Sequence, residues 1–139
     1  MNGTFWKHYL VTFLVFLAID AVWLGLVAPR FYASQIGPLM AKRPKWAAAG
    51  LFYLLFVAGL VVFCVSPGVR QGSLGGAALR DAALRGALFG LVTYATYALT
   101  NLAVLEGWPL LVVVVDLGWG MALATATTVV SVWLARLWG

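Results

Sequence analysis

The sequence predicts an all-α integral membrane protein, a four-transmembrane-helix bundle that forms a single membrane domain over residues 1–139. The first reason is compositional: 64% of the residues are hydrophobic and 9% are charged, with a mean hydropathy of +1.00. Soluble domains carry about 25% charged residues, so this chain has too few to cover a water-facing surface. The second is the spacing of the charges, which leaves four intervals long enough to cross hydrocarbon at about 20 residues per helix. The third is the lack of period-two alternation, which excludes barrel strands. Helices are then required, because in lipid every backbone N–H and C=O must be satisfied within its own segment.

Span one, about residues 8–29, lies between Lys7 and Arg30, an interval of 22 residues whose only charge is Asp20. An acid inside the apolar stretch, and Pro29 directly after the one small residue suited to cleavage, Ala28, make a retained helix the expectation rather than a secretory signal. The connection from Arg30 to Lys45 carries Phe31, Tyr32, Ile36, Leu39 and Met40 at helical spacing, followed by Lys42, Arg43 and Lys45. Such a segment is expected to lie along the headgroups as a short helix, limited by Pro38. Span two, about 46–66, opens the 24 uncharged residues between Lys45 and Arg70. From Ser66 to about Ala82, Pro67, Gly68, Gly72, Gly75 and Gly76 read as a mobile turn. Span three, about 84–105, covers the 20 uncharged residues between Arg85 and Glu106. Span four, about 108–135, occupies the 29 residues between Glu106 and Arg136, broken only by Asp116.

Trp6, Trp46, Trp108, Trp133 and Trp138 stand at span edges, as an aromatic belt requires. An even number of crossings puts both termini on one side. Lys7, Arg70, Arg80, Arg85 and Arg136 fall on that side, against Arg30, Lys42, Arg43 and Lys45 on the other, a small excess that points the termini to the cytoplasm. These cations flank apolar runs, so the net charge of +5 implies membrane lipids as partners and not nucleic acid.

Close helix packing is signalled by small residues four apart: Gly86 with Gly90, Ala21 with Gly25, and Gly118 with Ala122. Each pair suits an internal contact or a homodimer, and the internal contact is the expectation because a four-helix bundle must first pack with itself.

Counting depth brings polar groups to one level. Asp20 lies nine residues before Pro29 and Asp116 eight after Trp108, which puts both acids about 12–14 Å below the same membrane face. Tyr53 is seven residues past Trp46, Asn101 seven before Trp108, and Tyr94, Tyr97 and Asn101 share one face of span three. A charged residue in lipid costs about 2.5–3.5 kcal/mol on insertion scales, and no Lys or Arg lies within a span to neutralise these two, so both acids are expected to face inward. The layer has two readings: hydrogen-bonded glue between helices, or a polar pocket for a headgroup, a proton or a substrate. Trp23 and Trp119 each follow an acid by three residues and either wall that pocket or fill a core gap; the repeated D-x-x-W reads as coincidence, since the two spans run in opposite directions. Thr93, Thr96 and Thr100 are expected to bond back to their own helix, and His8 to be an interfacial residue.

Catalytic machinery is not visible. There is no H-E-x-x-H, no Cys and His cluster, no Walker loop and no G-x-S-x-G elbow. With one cysteine, Cys64, no intramolecular disulfide can form. His8, Met1, Met40, Met121, Cys64 and a few acids are the available donors, so no metal and no cofactor are expected, and the chain reads more as a binder or subunit than as an enzyme.

Several segments together resemble the DUF2177 family of small bacterial membrane proteins of unknown function: Asp20 with Trp23-Leu24-Gly25, Phe31-Tyr32, Ile36-Gly37, Phe52-Tyr53-Leu54-Leu55, Gly86 to Gly90, Y-A-T-Y-A-L-T-N over Tyr94 to Asn101, and Asp116 with Trp119-Gly120. The resemblance implies four helices and a bacterial inner membrane. The family pattern often reads T-Y-D-L-T-N in span three, whereas this chain has Ala98 between Tyr97 and Leu99, so a third acid is missing. The leading functional expectation is an amphiphile or lipid headgroup held at Asp20, Tyr53, Tyr94, Tyr97, Asn101 and Asp116. The alternatives are a non-enzymatic accessory subunit of a larger membrane complex and a proton-linked transporter.

Overall fold

A computed structural model of the chain describes residues 3–71 and 76–137. Met1, Gly72, Gly75 and Trp138, which entered the expectations above, lie outside the described residues. Helix α1 (Gly3–Val22) passes through a π-helical turn, Trp23–Val27, into α2 (Ala28–Ile36) and a closing 3-10 turn, Gly37–Leu39. Helix α3 (Trp46–Leu60) passes through a second π turn, Val61–Val65, into α4 (Ser66–Arg70). Helices α5 (Gly76–Val104) and α6 (Leu110–Leu137) complete the chain. These elements make four rods long and apolar enough to cross a membrane, and no strand occurs among the described residues.

Both π turns have the same cause. Proline has no N–H to give to the carbonyl four residues back, and its ring crowds that carbonyl. Four residues before Pro29 is Gly25, and four before Pro67 is Phe63, the middle residues of the two widened turns. The helix absorbs each proline by a bulge instead of ending. Two expectations are thereby corrected. Span one does not stop at Pro29: α2 continues it, and Phe31, Tyr32 and Ile36 pack on Ala98, Trp108, Val112 and Val113 rather than lying along headgroups. Only past Ile36 do Leu39 and Met40 stand exposed. The connection expected from Ser66 is likewise shorter, because α4 prolongs span two and α5 begins at Gly76.

The first rod packs beside α3 and α6, and α5 packs beside α6 and the end of span two. The central core is Phe16, Phe56, Val57, Leu60, Val61, Cys64, Leu123 and Ala124. Leucines and valines such as Leu10, Leu14, Leu55, Leu88 and Val114 cover the outside, as expected for helices solvated by acyl chains. Helices α5 and α6 make the closest approach. A Cβ at Gly86 would lie 2.8 Å from the Ala124 carbonyl oxygen, and one at Gly90 would overlap the Gly120 carbonyl. Between these helices Gly107, at φ 78°, makes the left-handed turn.

Of the three small-residue pairs, Gly86 with Gly90 is therefore an internal contact. Ala21, Gly25, Gly118 and Ala122 are exposed, and neither Gly25 nor Gly118 has an atom within 4 Å of where a Cβ would sit. The expectation of internal packing fails for these two pairs. Trp6, Trp46 and Trp133 face outward as belt residues, but Trp108 is only 9% exposed, buried in the bundle.

Candidate intramembrane polar site

Helix α1 presents His8, Thr12, Phe16 and Asp20 at four-residue intervals, and all four are buried. Asp20 accepts a hydrogen bond from the Tyr53 hydroxyl of α3 at 2.8 Å. On α6 the buried Asp116 accepts one from the Tyr32 hydroxyl of α2. Both acids thus face inward, 6% and 2% exposed, and each is held by a phenol from another element. They are not bonded to each other: each carboxyl takes its hydrogen bond from a tyrosine of another element.

The indoles of Trp23 and Trp119 stack at 4.6 Å between centroids and 10° between planes. Trp23 also meets Tyr32 edge to face at 6.4 Å. The Trp119 N–H points toward Asp20 without reaching hydrogen-bond geometry, so it is buried with no partner. Opposed helices carrying the same D-x-x-W offset bring the indoles together: the tryptophan of span four bears on the acid of span one, and that of span one on the tyrosine that holds the acid of span four. The two tryptophans of the D-x-x-W pairs thus meet in one stack.

Tyr94 connects the layer. Its ring fills the space that glycine leaves at Gly120, one helical turn from Asp116. Together with Phe52, Thr93 and Tyr97 it lines a cleft of about 280 Å³. Tyr97 itself is half exposed and meets Trp108 edge to face at 6.1 Å. Asn101 is partly buried and makes no hydrogen bond to either acid. Of the residues expected in the layer, Asp20, Tyr53, Tyr94 and Asp116 are brought together, Tyr97 stands at the margin, and Asn101 contributes no bond. Thr93 and Thr96 donate back to the carbonyls of Phe89 and Val92 at 2.8 and 2.6 Å, as expected, whereas Thr100 makes no such bond.

Tyr32 was missed. On a regular helix the 12 residues from Asp20 to Tyr32 advance about 1200°, leaving Tyr32 about 120° from the Asp20 face; one residue taken up in a π turn recovers about 100°. The available signal was Pro29, read as an end instead of a bulge. Ala98 is fully buried in the cluster that Tyr32 packs against. Among the described residues no three His, Cys, Asp or Glu side chains gather as a metal site would need.

Four apolar rods around an inward-facing acid–tyrosine layer define an all-α, four-span membrane protein. The chain belongs to the DUF2177 family, whose model, described as a predicted membrane protein, matches residues 5–133. No curated protein and no solved structure matches it.

Proposed function

We propose that the chain is a non-enzymatic binder of a small amphiphile in the bacterial inner membrane, with both termini in the cytoplasm. The observation that carries this reading is Tyr94, which lines the cleft and packs its ring against Gly120, one helical turn from Asp116. An apolar tail enters from the acyl-chain region past Phe52 and Tyr97, and the headgroup meets Tyr53, Asp20, Tyr94 and Asp116. Carboxyl and phenol oxygens accept hydrogen bonds, so the headgroup class is one rich in donors, an amine, amide or polyol. A volume of about 280 Å³ lies just under the usual range of about 300–1,000 Å³, which suits one chain with a compact headgroup rather than a whole phospholipid. The surplus of Lys and Arg on the terminal side supports the orientation.

Native mass spectrometry of the full chain, released in mild detergent, tests this. The wild type is expected to carry a bound amphiphile that the Asp20→Asn, Asp116→Asn double variant loses while its helical circular dichroism is unchanged. Ligand-free wild-type protein, or equal loading of the double variant, overturns the reading.

A second reading, a homodimer or an accessory subunit of a larger complex, is favoured by the outward-facing Ala21, Gly25, Gly118 and Ala122. It requires a stoichiometric protein partner in the same spectrum and no effect of either Asp→Asn change.

A further inference from the structure

The end of the bundle remote from the acid layer holds a second polar site. A cavity of about 490 Å³ opens there between α1 and the end of span two, lined by Thr4, Phe5, His8, Val62, Ser66, Val69 and Arg70. His8, expected at the interface, is buried, and its Nδ1 lies 3.2 Å from Ser66 Oγ. Two further arginines close on the same turn. Arg136 donates to the Val69 carbonyl at 2.8 Å, and Arg85 donates to Gln71 Oε1 at 3.4 Å. The Nε protons of both are buried with no acceptor. The acid at this end, Asp81, is already engaged by Gln71 at 3.0 Å and Arg80 at 3.4 Å.

Buried polar groups are almost always satisfied in native proteins, so a cluster of orphans marks a missing partner. The excess here consists of donors: the Nε–H groups of Arg85 and Arg136, whose side chains close on Gln71 and Val69, next to Arg70 of the cavity lining. A group with several acceptor oxygens and negative charge answers both the hydrogen-bond deficit and the charge. Its place at the mouth of the bundle, where Lys and Arg meet anionic headgroups, fits the same chemistry. We propose that this cavity binds a phosphate-type oxyanion, carried on an anionic phospholipid or free in solution. The site is separate from the acid–tyrosine layer and does not depend on the function proposed for it.

The test uses the full chain in an uncharged detergent, titrated with phosphatidylglycerol or phosphatidylcholine and followed by native mass spectrometry. Phosphatidylglycerol is expected to bind at lower concentration, and the exposed change Arg70→Gln to weaken it about fivefold, the worth of one basic residue at an anionic surface. Arg70→Lys should retain most of the binding. Arg30→Gln at the opposite face and Asp116→Asn should leave it unchanged. Competition by millimolar inorganic phosphate assigns the site to the free oxyanion, and resistance to it assigns the site to the lipid; both outcomes support an oxyanion site. Equal binding of the two lipids together with no retention of inorganic phosphate, or equal effects of Arg70→Gln and Arg30→Gln, overturns it.

Discussion

Tyr53 and Tyr32 hold carboxyls that the bundle has removed from water, so their hydroxyls matter more than their ring contacts. Tyr53→Phe leaves the Asp20 oxygen without its partner, and Tyr32→Phe does the same at Asp116. Hydrogen bonds between membrane helices are worth about 0.6 kcal/mol on average and about 1.7 at most, and an abandoned buried acceptor adds to the loss. Each substitution should therefore destabilise the protein by about 1–2 kcal/mol, seen as a lower midpoint of thermal unfolding in detergent. The double change Tyr32→Phe with Asp116→Leu, which removes both partners of the bond, should cost less than Tyr32→Phe alone. The reverse order would show that Tyr32 does not serve Asp116. The acids were legible from depth alone, because a charge in lipid can sit only where something compensates it. Their partners were legible only in part: Tyr53 stood at the level of Asp20, but Asn101 has the right depth and makes no bond to the acids, whereas Tyr32, expected along the headgroups, supplies one.

At the scale of the helix, the two proline bulges decide which residues face inward. Pro29→Ala allows regular winding to resume between Asp20 and Tyr32 and turns Tyr32 about 100° away from Asp116. In that background Tyr32→Phe should be almost silent, within about 0.5 kcal/mol, so a double-mutant cycle on the unfolding midpoint should give a coupling energy close to the whole cost of Tyr32→Phe. Additive effects would separate the bulge from the Tyr32–Asp116 bond. Helices α5 and α6 yield a second expectation. A side chain at Gly90 would meet backbone at Gly120 and not a side chain able to swing aside, so Gly90→Leu should cost about 3 kcal/mol or more and lower the yield of folded protein. Gly118→Leu, on an open face, should leave the isolated bundle as stable as the wild type, and any loss of assembly would then report a partner. Sequence spacing marked all these pairs alike as close contacts. Helix rotation, which spacing does not contain, assigned one inward and two outward.

For the whole molecule, polarity divides by height. Nearer one face is the acceptor-rich layer of Asp20, Asp116 and tyrosines; toward the other is the donor-rich mouth of Arg70, Arg85, Arg136 and His8. The two ends should discriminate ligands of opposite character, so Asp20→Asn with Asp116→Asn should change retention of a donor-rich amphiphile and leave phosphatidylglycerol binding intact, and Arg70→Gln the reverse. Paired native spectra of the two variants check this, and loss of both ligands in either variant would mean one continuous site. The sequence by itself determined the class of the protein: four apolar intervals, their approximate edges and the depth of each acid follow from transfer free energies that each helix carries alone. Only the tertiary structure decided that Pro29 and Pro67 bend helices without ending them, that Tyr32 joins the layer, that Trp23 stacks on Trp119, and that Trp108 is buried. The physical reason is that partner choice depends on the rotation and register of each helix against its neighbours. Those are set by packing energies summed over the whole bundle, and no single segment contains them.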